Sequence, residues 1–229
     1  MRILTARFLF VIGLFTSLTL HADSINVTIT GVSGTVSGNV YVAPYYLSVN
    51  GSGDPAQGLT PGTISVICDD FTHDVTPGES WIAQVNDLNS TGLLGTRFYS
   101  STNSAATTRL YEEAGWLTIN SGIWGGTAVG STADINWAIW KLFDPSLTVS
   151  QGAQNLINLA QQQAPNDLSY YSSVRILTPT NHPDGTSWTD STSPQEYLTV
   201  VRAPEPATFL LLGSGLSLLC FRRRKKSEN

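Results

Sequence analysis

The sequence predicts an α+β fold: a β-rich sandwich or barrel with an inserted helical region, set between an N-terminal signal and a C-terminal apolar segment. Three observations carry that expectation. Apolar residues recur with period two near both ends of the interior of the chain, which is the pattern of half-buried strands. In the middle the period changes to that of a helix. Each end of the chain carries a short apolar run flanked by basic residues, outside either pattern.

Ser24–Val32 sets Ile25, Val27 and Ile29 against Asn26, Thr28 and Thr30, and reads as a strand. Gly31, Gly34 and Gly38 then punctuate a turn. Asn39–Val49 is a second strand region interrupted at Pro44, and residues 50–62 form a loop rich in Gly and Pro. Thr63–Cys68 and Trp81–Leu88 read as further strands. Helices follow near 104–118, 131–143 and 151–164. In the first, Leu110, Tyr111, Ala114 and Leu117 share a face, with Glu112 and Glu113 expected outside and Arg109 spaced to pair with Glu113. The second has Ser131 or Thr132 as N-cap, Asp134 in its first turn and Asp144-Pro145 as its stop. Ser173–Thr178 and Glu196–Val201 close the domain as strands.

Residues 1–22 have the form of a secretory signal, with Arg2 and Arg7 preceding the apolar run Phe8–Leu20 and Ala22 before the cut. Signal peptidase is the processing partner this implies. Residues 23–203 are then one exported domain. Five of the 12 Lys and Arg and 15 of the 17 Asp and Glu lie in it, so it carries ten net negative charges where the whole chain carries five. That balance argues against nucleic acid and anionic membrane surfaces as partners. Cys68 is the only cysteine of the domain, which excludes an internal disulfide.

Residues 204–229 form a three-part tail. Pro204-Glu205-Pro206 has φ fixed twice and lacks two N–H donors, so it is expected to be extended and accessible. Ala207–Phe221 is uncharged over 15 residues. As a helix it would span about 22 Å, short against a hydrocarbon core of about 30 Å. Arg222, Arg223, Arg224, Lys225 and Lys226 form a basic stop that stays on the cytoplasmic side. This ending closely resembles the PEP-CTERM sorting signal of Gram-negative bacteria that make exopolysaccharide. Ala203 stands where many members have Val. The resemblance implies recognition by exosortase at the Pro-Glu-Pro motif, a membrane-spanning sorting helix before processing, and a cell-surface or extracellular location after it. Exopolysaccharide is then the expected environment.

Cys68 lies at a predicted strand end, followed by Asp69-Asp70-Phe71, and Asn136 lies 68 residues later within the helical segment Ile135-Asn136-Trp137-Ala138-Ile139-Trp140. This pair resembles the thioester domains of Gram-positive surface adhesins. Those domains join a strand-end Cys to a Gln in a helical Thr-Gln-x-Ala-Ile-Trp motif and use the bond to capture amines. Here Ile135 stands for the Thr and Asn136 for the Gln, and Ala138-Ile139-Trp140 match. The resemblance implies a thioester-domain-like fold and a candidate cross-link between Cys68 and Asn136. The chemistry requires a thiolate to attack the carboxamide and expel ammonia from a pre-aligned pair. Asn is one methylene shorter than Gln, so Cys68 as a small buried residue and Asn136 as a hydrogen-bonded one stand beside the cross-link.

Asp69, Asp70 and Asp74 are weak candidates for Ca²⁺, alongside a solvated acidic loop, because their spacing matches no EF-hand pattern. Trp124, in a Gly-rich loop, is a candidate sugar-stacking residue, alongside core packing. The exported domain has two histidines and lacks a nucleophile elbow, a His-Glu-x-x-His motif and a P-loop. The expected function is therefore non-catalytic and without cofactor: a structural or adhesive surface protein, with a covalent adhesin and a glycan-binding module as alternatives and a hydrolase last.

Overall fold

The structure is a computed structural model that describes residues 24–33, 36–88, 92–189 and 192–201. The secretory signal and the sorting tail fall on residues outside these. Among the described residues no helix is long and apolar enough to cross a membrane.

Six strands close into a barrel. They are β1 (Ser24–Val32), β4 (Tyr45–Asn50), β5 (Gly62–Cys68), β6 (Ser80–Asp87), β7 (Val174–Asn181) and β8 (Tyr197–Val200). Their order around the barrel is β1-β4-β5-β8-β7-β6, with every pairing antiparallel. Closure removes the exposed edges that an open sheet would leave. Of the two architectures expected, the barrel is the one formed.

Alternation decides which residues fill it. Ile25, Val27 and Ile29 of β1 point inward, as do Tyr45, Leu47 and Val49 of β4. The alternation stops where helices cover the outside. Val66, Ile67 and Cys68 of β5 are all buried, as are Tyr197, Leu198 and Thr199 of β8, because α1 and α2 lie over this part of the barrel.

Between β3 (Val40–Tyr41) and β2 (Val36–Ser37) a separate two-stranded hairpin stands off the barrel. The expected strand over 39–49 is thus two pieces divided at Pro44. Gly38 and Asn39 both have positive φ, 61° and 65°, which is the geometry of a two-residue hairpin turn. A Cβ on Gly38 would lie 2.8 Å from the Trp137 ring, so the turn also needs glycine for close approach.

The connection from β6 to β7 holds three helices, α1 (Ser104–Ile119), α2 (Thr132–Phe143) and α3 (Gln151–Gln163). Ser131 caps α2, its Oγ accepting from Asp134 N at 3.1 Å, and Ser150 caps α3, accepting from Ala153 N at 3.0 Å. Asp134 joins the two starts, since both Ser131 Oγ (2.7 Å) and Ser150 Oγ (2.5 Å) donate to its carboxylate.

Helix α1 corrects one expectation. Glu112 and Glu113 do not face outward but are 6% and 5% exposed. The reason is that α1 packs against α2, α3 and β8 at once, so little of it remains free. Arg109 makes this burial tolerable by pairing with both, Nη1 to Glu112 at 3.1 Å and Nε to Glu113 at 2.9 Å. It also donates to the carbonyls of Gln161 and Ala164, which ties α1 to the end of α3.

Candidate functional site: a cleft and a buried polar network at the barrel mouth

The end of β5 is where the candidate residues gather. Cys68 is fully buried. Its Sγ accepts from Asp70 N at 3.3 Å and donates to Asp70 O at 3.1 Å. Burial, and next the Asp70 charge, pushes the thiol well above its ordinary range, so the neutral S–H is the resting form.

Asn136, also fully buried on α2, is brought to Cys68. Its Nδ2 donates to the Cys68 carbonyl at 2.8 Å, and its Oδ1 accepts from Ala43 N at 2.7 Å. One carboxamide thus fastens the end of β5, helix α2 and the segment leading into β4. The structure brings the two sequence candidates together through the Cys68 backbone.

Asp69 and Asp70 part company. The Asp70 carboxylate has no exposure and pairs with Arg97 Nη1 and with His73 Nδ1 (2.8 Å) through the same oxygen, Oδ2. Its Oδ1 accepts from Thr72 N at 3.0 Å. Arg97 in turn donates to Ser193 Oγ at 2.6 Å and Pro194 O at 2.8 Å, bridging the loop after β5 to the loop before β8.

Asp69 is equally buried, and no N–H or O–H donor of the described residues reaches either of its oxygens. Its neighbour is Glu196. Burial raises Asp69 well above the carboxylate range, and the Glu196 charge adds to the rise. Burial raises Glu196 too, but donors to its oxygens pull the other way: Tyr111 Oη at 2.7 Å, Arg97 N at 2.8 Å and the Thr178 hydroxyl. The physical solution is one retained proton, held on Asp69 and donated to an ionised Glu196. That contact supplies the partner which a count of fixed donors misses.

Asp74 is exposed and lies on the cleft, away from this network. The three aspartates named as Ca²⁺ candidates therefore have separate surroundings. Among the described residues no group of three or more His, Cys, Asp or Glu is disposed to hold a metal ion.

The cleft has a volume of about 510 Å³. Ile29 and Val32 of β1 and Tyr45 of β4 form its floor, with Trp140 of α2 alongside. Tyr41 comes from the hairpin, and Phe71 and Asp74 from the loop after β5. Phe71 packs against Trp137 and Trp140 with ring centroids 5.5 and 5.1 Å away, and Trp137 Nε1 donates to Ser37 Oγ at 3.1 Å. Trp137 thereby holds the hairpin beside the cleft. Trp124 is elsewhere, half-buried and packed against the core.

Sequence reasoning did not find Arg97, Tyr111 or Glu196. Each lies in an unremarkable local pattern, and Arg97 and Glu196 meet across 99 residues. A lone Glu at the head of an apolar strand was the one available signal.

Pro204, Glu205, Pro206 and the basic stop at 222–226 lie outside the described residues. Among curated proteins none matches the chain. Among solved structures it is similar to the N-terminal domain of the Streptococcus pyogenes pilus tip adhesin Cpa, at 10% identity and a TM-score of 0.41, with 81% of this chain and 97% of that one covered. The PEP-CTERM protein-sorting motif matches residues 202–225. The chain is therefore an exported protein that carries a PEP-CTERM sorting signal, the address of an exosortase-processed protein of the cell surface.

Proposed function

We propose that the exported domain is a non-catalytic structural or adhesive component of the exopolysaccharide layer. The observation that carries this reading is the sorting motif at 202–225, joined by a single short segment to a closed acidic barrel. The ionisable groups at the barrel mouth support the non-catalytic part. Cys68 rests as a thiol, and Asp69, Asp70 and Glu196 are spent on one another and on Arg97. Such a network specifies a fold rather than poising a reaction.

The test is fractionation of the native host expressing the full chain and a Pro204→Ala, Glu205→Ala, Pro206→Ala variant. The wild type is expected in the surface and matrix fraction, shortened at its C-terminus, and the variant retained at full length in the inner membrane. Equal distribution of the two would overturn the reading.

A second reading, a covalent adhesin, is favoured by one contact: Asn136 Nδ2 donates to the Cys68 backbone carbonyl, while Ala43 N–H donates to the carboxamide oxygen. A donor at that oxygen polarises the carbonyl that a thiolate would attack. The reaction would join Sγ to the carboxamide carbon and release ammonia. Intact mass of the protein from its host decides it. Loss of one ammonia, resistance to thiol alkylation after denaturation and a methylamine adduct establish the bond; a free, alkylatable Cys68 removes it.

A further inference from the structure

We propose that the cleft at the barrel mouth, opposite both ends of the described domain, binds a segment of non-anionic glycan. The proposal rests on the surface-layer reading above and names the site and ligand that reading lacks.

The orientation follows from strand pairing. Val32 pairs with Tyr45, Tyr45 with Val66 and Cys68 with Tyr197, so the ends of β1 and β5 and the starts of β4 and β8 share one end of the barrel. The cleft is built there. At the other end Ser24 pairs with Gln84 and Val200 with Val174, the start of β7. Both ends of the described domain therefore leave from the end opposite the cleft.

The lining supplies the chemistry. A sugar ring offers an apolar C–H face and a rim of hydroxyls that both donate and accept. The cleft offers the exposed ring of Tyr41 and the half-buried ring of Phe71 with polar groups at their edge, the combination that fixes such a ligand. Tyr41, which lines the cleft, is 60% exposed on its two-residue strand, and Val36, its pairing partner in the hairpin, is 58% exposed. Its position is set: Tyr45 Oη donates to the Tyr41 carbonyl at 2.5 Å, and the hairpin is held by the Trp137–Ser37 bond. Asp74 and Asn39, both exposed, stand at the rim. The Asp74 carboxylate is an acceptor for hydroxyls and engages no hydrogen bond or ion pair among the described residues. The same carboxylate and the ten net negative charges of residues 23–203 repel a polyanion, which is why the ligand is a non-anionic glycan.

The experiment is calorimetric titration of the full chain with neutral gluco-oligosaccharides, chito-oligosaccharides and alginate oligomers, each at low and moderate salt. Binding of at least one of the first two and none of alginate is expected. Tyr41→Ala is expected to weaken binding about tenfold. Tyr41→Phe keeps the ring face and should keep the affinity, and Tyr170→Ala, an exposed tyrosine away from the cleft, should behave as wild type. Unchanged unfolding midpoints show that the variants fold. Tyr41→Ala binding as tightly as wild type overturns the proposal, as does preference for alginate or binding of an apolar peptide alone. Surface location in the fractionation experiment with no glycan bound removes the cleft and leaves the sorting reading standing. Absence from the surface removes the sorting reading.

Discussion

Replacing Asp69 with Asn isolates the buried proton beneath the barrel mouth. In the native state Asp69 is fully buried beside Glu196, and both burial and the Glu196 charge raise its pKa. The unfolded chain releases that proton above about pH 3.9. A carboxyl raised on folding gives its full stabilising contribution below the unfolded value, and that contribution is lost as the pH rises through the folded value. The slope is about 1.4 kcal/mol per pH unit for one proton, or about 2.7 kcal/mol between pH 5 and pH 7 while the native state holds the proton. This is a large part of a total stability of about 5–15 kcal/mol. Asn has the same shape, keeps an N–H to donate to Glu196 and does not titrate. The assay is urea unfolding followed by tryptophan fluorescence at pH 5, 6 and 7 for wild type and Asp69→Asn. The difference in unfolding free energy should change by about 1.4 kcal/mol per unit in favour of the variant as pH rises. Groups that do not interact with residue 69 cancel in that difference. Parallel pH profiles would refute the shared-proton assignment. Asp69→Leu removes the titrating carboxyl and also the donor that Asn would keep for Glu196, so it should lie about 1–3 kcal/mol below Asp69→Asn at every pH.

Arg97→Met leaves the Asp70 carboxylate, wholly buried, without its guanidinium, and a loss of about 3–5 kcal/mol is expected in urea unfolding. Asp134→Ala removes the carboxylate shared by the starts of α2 and α3; a loss of about 1 kcal/mol and faster amide exchange at residues 132–135 and 151–154 are expected. Gly152→Ala places a Cβ 2.7 Å from Asp134 Oδ2 and should lower the thermal midpoint, through a cost of about 1–3 kcal/mol. Trp137→Ala should release the hairpin at 36–41, read as faster proteolysis there with the barrel intact.

Much of the fold was legible because local pattern decided it. The strand over Ser24–Val32 is observed with the bounds its alternation predicts, and the three helices begin and end within two residues of their caps and stops. The second strand region breaks at Pro44 as expected, where the hairpin strand Val40–Tyr41 and β4 are separate elements. Glu112 and Glu113 were misplaced because a helix covered on several sides hides polar residues that a single-face pattern assigns to solvent. The junction of Cys68 and Asn136 was visible as two motifs, but the contact that joins them was not.

What the sequence determined by itself is the destination of the protein and the identity of its local elements. A sorting signal is read from a linear segment, and helix or strand periodicity needs only near neighbours. The tertiary structure alone decided that β5 meets β8, that Asp69 is buried beside Glu196 across 127 residues, and that Arg97 bridges Asp70 to Ser193. It also decided that the cleft and the two ends of the described domain lie at opposite ends of the barrel. Each of these depends on which distant segments become neighbours when the barrel closes, and no local pattern encodes that choice.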